Sequence, residues 1–298
     1  MTRPTVDRIP HHFATKGVPC TFETLAATAQ VSDTASEIEV IRVATELTMK
    51  FWSDQRTIDA VDMFSGSGVF SLWMKRAGRQ VHGFDKYGRD ESEDVCTLAG
   101  MAWACKLALS IKSKGVLLID PPSREWCSRR RKGTGREKFV HGKPSKEAFE
   151  ANFVAHAVAH LVVMCLMRGV YFMITVPGDC ATFFEFPVVA KALRMGRAVV
   201  TTTFQGHWER EKSNKKTLVS SNIPAHIIAA LECERPLPDS TLIDEMNSEE
   251  PDCIEWNNGT YELNGSSRFY ETFAQKLVEI AIRAAGGGRV EFVPSDSD

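Results

Sequence analysis

Residues 58–68 read IDAVDMFSGSG, and the order of residue types within them sets the expectation for the whole chain. A short apolar run (Ala60, Val61, Met63, Phe64) meets a turn carrying Gly66 and Gly68, and a helical pattern begins directly afterwards. Strand, tight glycine turn and helix N-terminus follow one another as a nucleotide-type ligand site requires. Gly66 and Gly68 admit backbone conformations closed to other residues and let a ligand come close. The N–H groups at the helix start favour a polar or anionic group. Asp85 comes 17 residues after Gly68, in QVHGFD, at the end of a second strand-like segment. A carboxylate there can accept both hydroxyls of a ribose. An ordinary glycine turn between strand and helix reads the same way.

Outward from this stretch the chain alternates. Strands are expected near 58–64, 80–85, 115–120, 170–176 and 198–203, with helices at 69–78, 96–111, 146–168 and 182–195. An earlier helix, from about Asp33 to Trp52 and capped by Ser32 or Asp33, carries Ile38, Ile41, Val43, Leu47 and Phe51. Val116–Ile119 and Val170–Val176 are almost wholly apolar, as in strands buried on both faces. The pattern predicts an α/β fold with a doubly wound, Rossmann-like sheet and helices on both faces. Ligands in that architecture bind past the carboxyl ends of the strands. Those ends read FSGSG, then Asp85, then IDPPSREWC (119–127), then ITVPGDC (174–180), four clusters expected to converge on one crevice. Three regions follow: an N-terminal extension with one helix (1–57), the α/β domain (58–232), and an irregular connection, C-terminal helix and acidic tail (233–298).

Composition narrows the class. A chain of 298 residues with 43% hydrophobic content can bury a substantial core, and a net charge of −2 says nothing global about partners. Eight cysteines lie scattered without a CxxC pair, which predicts reduced thiols and no metal site. MTRPTVDRIPHHF lacks the apolar core of a signal peptide. The longest apolar stretch, Phe153 to Met167, reads as too short to span a bilayer and holds His156 and His160. The expectation is a soluble intracellular protein without membrane contact; nucleus or cytoplasm, and oligomeric state, stay open.

DMFSGSG, then GFD, then a proline-pair loop, then a strand ending in a proline turn resembles the S-adenosylmethionine (SAM)-dependent methyltransferases. Within them the chain is most similar to the cytosine-C5 DNA methyltransferases and their divergent relatives. The first motif of that family, D-[LM]-F-[AS]-G-x-G, is matched at every defined position from Asp62 to Gly68. The resemblance implies a SAM site containing Asp62, with Phe64, Ser65, Gly66 and Gly68 on the methionine part, Asp85 on the ribose and Asp94 near the adenine. Residues 203–222 look like the family's late strand hairpin, with Lys216, Thr217 and Asn222 approximating its ending, and 268–285 like its returning C-terminal helix. The stretch 222–267 is too short for the family's usual target-recognition domain.

The departures bear on chemistry. Cytosine-C5 transfer needs a thiolate to attack C6 and a glutamic acid at N3. The family puts that cysteine directly after the proline pair, where this chain has Ser123; Cys127 lies four residues later and serves only if the loop folds back. The glutamate position is Thr175. A second reading compares Asp120-Pro121-Pro122 with the [DNS]-P-P-[YFW] of amino-methyltransferases, Asp120 accepting a hydrogen bond from the target amine and Trp126 standing in for the aromatic that stacks on the base. Asp-Pro-Pro is equally a good strand terminator.

From Arg124 to Lys146 nine cations face only Glu125 and Glu137, a local +7. Arg129, Arg130, Arg131, Lys132 and Arg136 are the candidate contacts to DNA or RNA, with Lys212, Lys215 and Lys216 as an extension if the late hairpin lies nearby. A solvated charge run is the plainer alternative. His156 and His160 read as a helix face against the core, Phe183, Phe184 and Phe186 as the apolar start of a helix, Cys180 as a turn residue and Trp73 as core. Two functions stay open: a methyltransferase-like enzyme on nucleic acid with atypical motifs, and a pseudo-enzyme that binds SAM or nucleic acid without transfer.

Overall fold

Strand β1 (Ile58–Met63) lies hydrogen-bonded between two parallel neighbours, β2 (Val81–Phe84) and β3 (Ile111–Ile119). The computed structural model describes residues 41–43, 45, 46, 48, 56–86, 93–127, 135, 136, 140–208, 216–233, 255–257, 260–262, 271–288, 290 and 292. Strands β4 (Tyr171–Pro177), β5 (Val199–Phe204) and β6 (Lys216–Ser221) extend the sheet to six, in the order β2-β1-β3-β4-β6-β5. β6 alone runs antiparallel to its neighbours, because the β5–β6 hairpin folds back and inserts its second strand beside β4.

Alternation along the strands sorts side chains to the two faces. Val61, Met63, Leu117, Ile119, Ile174 and Val176 face one core with helices α2 (Leu98–Ser110), α3 (Lys146–Arg168), α4 (Thr182–Glu185) and α5 (Pro187–Met195). Ala60, Val116, Leu118, Met173 and Val219 face the other, with α1 (Val69–Arg76), α7 (Ala225–Ile228) and α8 (Glu271–Ala284). The short α6 (Gln205–Trp208) directly follows β5. The protein is therefore α/β, with a mostly parallel sheet covered by helices on both faces.

Local chemistry sets the element ends. Thr97 caps α2 through its hydroxyl on Gly100 N at 3.0 Å, and Ser145 caps α3 on Ala148 N at 3.1 Å. Pro187 occupies the first turn of α5, breaking the expected single helix 182–195 after Phe186. β3 starts four residues earlier than expected, since α2 runs into it without a loop. The connection expected to be irregular from 233 holds a two-stranded hairpin, β7 (Glu255–Asn257) with β8 (Thr260–Glu262). Helical residues at 41–43, 45, 46 and 48 fall within the helix expected at 33–52; its proposed caps, Ile38, Leu47 and Phe51 lie outside the described residues.

α3 occupies the expected span 146–168. At 23 residues with a mean hydropathy of 1.6 in its best window, it is long and apolar enough to cross a membrane by length and composition, although the apolar run Phe153–Met167 within it reads as too short. In the fold 67% of that window is buried, against the sheet and α5. His160 donates to or accepts from the Thr45 hydroxyl at 2.8 Å, and His156 meets the Phe186 ring edge-on at 5.8 Å. Trp73 is core, edge-on to Phe292 at 4.9 Å.

Gly100 lets α2 sit directly on the turn before it: a Cβ there would come within 2.0 Å of the Asp94 carbonyl oxygen. Gly100→Ala should cost about 1–3 kcal/mol in urea unfolding because backbone, not a flexible side chain, must yield. Gly288→Ala, which meets nothing within 4 Å, is the control, expected to stay within about 0.5 kcal/mol of the parent. Equal effects of the two would show that the turn yields at no cost.

Candidate ligand site at the strand ends

The chain leaves β1 toward β2 on one side and returns past β1 to β3 on the other, so the order of strands reverses at the β1–β3 boundary. In open α/β sheets the loops diverge at such a point, and ligands bind in the crevice beyond the carboxyl ends. The FSGSG turn forms one wall. Phe64, Gly66 and Gly68 have φ of 60°, 50° and 69°. The left-handed region suits glycine and strains phenylalanine, so the surroundings must hold Phe64 there. A Cβ on Gly66 or Gly68 would meet nothing within 4 Å. Conformation, not crowding, demands glycine, and the turn's surface faces open space.

Asp85, at the end of β2, is buried and accepts the Gly66 N–H on Oδ2 at 2.8 Å, while Ser65 N donates to Phe84 O at 3.1 Å. The acid and the glycine turn, 19 residues apart, thus form one unit. Glu93, also buried, accepts the Asp85 N–H at 2.9 Å and lies 3.2 Å from His82 Nε2 and 3.4 Å from Trp103 Nε1. Asp94 turns elsewhere, accepting from Cys96 N at 2.9 Å and Lys86 Nζ at 3.2 Å. Of the adjacent acids in ESED, the one not singled out from the sequence supports the turn; side-chain direction, invisible in the run, decides between them.

Asp62 stands inside β1, 2% exposed, accepting from Ser71 N at 3.2 Å and Ser71 Oγ at 2.8 Å. Burial pushes its carboxyl from the ordinary 3.8 up to about 7; the Ser71 hydrogen bonds pull it down, and the nearby Asp120 and Asp85 raise it further. Asp120, at the end of β3, accepts the Thr175 hydroxyl on Oδ1 at 2.8 Å, and its N–H donates to Met63 O at 3.1 Å. Thr175, fully buried at the expected glutamate position, thus orients the Asp120 carboxylate.

The loops after β3 and β4 meet. Pro121 is buried and Pro122 exposed, and Ser123 offers its carbonyl to Cys180 Sγ at 3.4 Å. The loop folds back far enough that Cys127 Sγ donates to Asp179 Oδ2 at 2.7 Å. Burial, then Asp179, pushes the Cys180 thiol well above its ordinary value. Trp126 does not reach the crevice. It is 2% exposed, edge-on to Phe183 at 5.4 Å and Phe186 at 5.1 Å, which removes it as a stacking surface for a base.

Arg136 is a second correction. Its guanidinium lies 3.8 Å over the Trp126 ring and donates to Val140 O at 2.8 Å and Asn152 Oδ1 at 3.0 Å. At 9% exposure it packs the loop base and cannot present its charge to a phosphate. Arg129, Arg130, Arg131, Lys132, Lys212 and Lys215 lie outside the described residues. Lys216 is exposed, and its alkyl chain passes where a Gly178 Cβ would stand, so the hairpin does lie beside the loop after β4. Asn222 sits at the opposite end of the sheet, accepting from Phe172 N at 2.8 Å. The chain matches no protein-family model, and searches of curated proteins and of solved structures give no match.

Asp62 supplies a direct test. Its folded pKa lies above its unfolded one, so the native state carries an extra proton between about pH 4 and pH 7, and the cost of ionising it grows as pH rises through that window. Asp62→Asn, which keeps an acceptor for Ser71, should raise unfolding free energy at about pH 8 by roughly 2–4 kcal/mol and leave it little changed below about pH 4. A gain independent of pH in denaturant titrations would mean that Asp62 ionises normally.

Proposed function

We propose that the crevice binds S-adenosylmethionine and that the chain is a methyltransferase-like protein acting on nucleic acid. One observation carries the reading: the intact glycine turn is ringed by carboxylates (Asp62, Asp85, Asp120 and the supporting Glu93), and Lys86, the described cation beside them, is paired with Asp94. A pyrophosphate would meet like charge there. A sulfonium and an ammonium would meet opposite charge, and a ribose would find acceptors. SAM combines those groups. The motif from Asp62 to Gly68 and the β5–β6 hairpin, both features of the resemblance to cytosine-C5 enzymes, support the same reading.

Transfer to carbon through a covalent thiol adduct fits these residues poorly. Ser123 and Thr175 stand where the nucleophile and acid belong. Cys127 is engaged with an acid, whose negative charge disfavours a thiolate. Transfer to an exocyclic amine fits better. Asp120, oriented by Thr175, would accept a hydrogen bond from the amine and hold its nitrogen lone pair toward the methyl group that bound SAM would supply, with one amine proton passing to solvent. The second reading, binding without transfer, is favoured by the loss of Trp126 to the core, which leaves no described aromatic of the 121–127 loop to stack on a base.

Calorimetric titration with SAM should give one saturable site, weakened about tenfold or more in Asp85→Asn, which keeps an acceptor for Gly66 but loses one for ribose. Absence of binding at millimolar-order SAM would overturn the assignment. Asp120→Ala should abolish labelled-methyl transfer to DNA or RNA while SAM still binds; full turnover would remove Asp120 from the chemistry. Replacing Arg129, Arg130, Arg131 and Lys132 with alanine should weaken nucleic-acid binding and lower the slope of log affinity against log salt by about three to four. An unchanged slope would reassign the partner.

A further inference from the structure

The loops after β3 and β4 bring together three metal-ligating groups that sequence spacing hides. Cys127 follows the 3₁₀ turn Arg124–Trp126, and Asp179 and Cys180 belong to the 3₁₀ turn Gly178–Cys180. One ligand atom from each lies within 4.8 Å of the others. The carboxylate sits between the thiols, Oδ2 at 2.7 Å from Cys127 Sγ and Oδ1 at 3.4 Å from Cys180 Sγ.

We propose that Cys127, Asp179 and Cys180 bind a thiophilic divalent cation of the zinc type. With metal–ligand bonds of about 2.0–2.3 Å, a tetrahedral site holds its ligand atoms roughly 3.3–3.8 Å apart. The Cys180 sulfur–oxygen separation of 3.4 Å lies within that range, the Cys127 one of 2.7 Å to the other carboxylate oxygen is shorter, and no ligand pair exceeds 4.8 Å, so closure asks for side-chain adjustments on the order of 1 Å, available at the half-buried Cys127 and the exposed Asp179. The frame is fixed on both sides. Trp126, next to Cys127, is locked between Phe183, Phe186 and Arg136, and Thr182 Oγ1 donates to Trp126 O at 3.0 Å, tying the first turn to the helix after the second. Such supporting contacts hold ligands in place before the metal arrives. Two sulfurs select zinc, cobalt or related ions over magnesium and calcium. Each thiol gives its proton to solvent as its metal–sulfur bond forms. Three protein ligands leave a fourth position for water or a substrate donor, on the side of the exposed Asp179. The cation would clip together two loops that flank the crevice, whether or not the crevice binds SAM.

Cobalt(II) is the probe, added to the reduced, chelator-treated full chain. One equivalent should produce a thiolate-to-cobalt charge-transfer band and tetrahedral d–d absorption, both bleached by one equivalent of zinc(II). Cys127→Ser and Asp179→Asn, at positions that are not buried, should each weaken cobalt affinity about tenfold or more, with circular dichroism checking the fold. Cys96→Ser and Cys233→Ser should leave the spectrum intact. The proposal is overturned by absence of the charge-transfer band in the reduced protein, or by a band of unchanged intensity and unchanged cobalt affinity in Cys127→Ser.

Discussion

Burial of β1 on both faces and both edges is the constraint from which the remainder follows. Its backbone is satisfied by β2 and β3, Val61 and Met63 point into one core, and Ala60 points into the other. A strand so enclosed has one opening, its carboxyl end, and there the chain must turn sharply to start α1 on the opposite face from α2. Three left-handed residues at alternate positions, Phe64, Gly66 and Gly68, make that turn, and the Gly66–Asp85 hydrogen bond joins it to β2. The position of the candidate site is a consequence of the winding.

Asp62 is the exception inside that strand. A buried carboxyl beside two other acids is held by Ser71 yet remains costly to ionise near neutrality. Such an ionised group opposes stability and would be relieved by a nearby cation, which is the electrostatic content of the SAM proposal. Helix α1 contributes twice, since Ser71 comes from its first turn and Phe70, Trp73 and Met74 anchor it against α8.

The far side of the crevice is governed by aromatic packing. Trp126 sits in an apolar site with Arg136 stacked over it, so the base of the basic loop belongs to the core. The same packing sets Cys127 against Asp179. A thiol that the sequence offers as a displaced nucleophile becomes, in three dimensions, a partner of an acid and a second thiol, and the proposed cation site arises from that exchange of roles.

Elements were legible in the sequence wherever local periodicity and punctuation agreed. β1, β2, α1, α3 and β4 lie within a few residues of their expected positions because apolar alternation, Gly66, Gly68, Ser145 and Pro177 act on neighbours in the chain. The convergence of the FSGSG turn, Asp85 and Asp120 was also legible, since strand alternation alone puts carboxyl ends on one edge. Which acid faces inward, Glu93 or Asp94, was not, nor was the fate of Trp126 and Arg136, nor the meeting of Cys127 with Asp179 and Cys180. Those outcomes depend on side-chain direction and on contacts between residues 8 to 60 positions apart, and a spacing rule carries no information about atoms that only packing brings together.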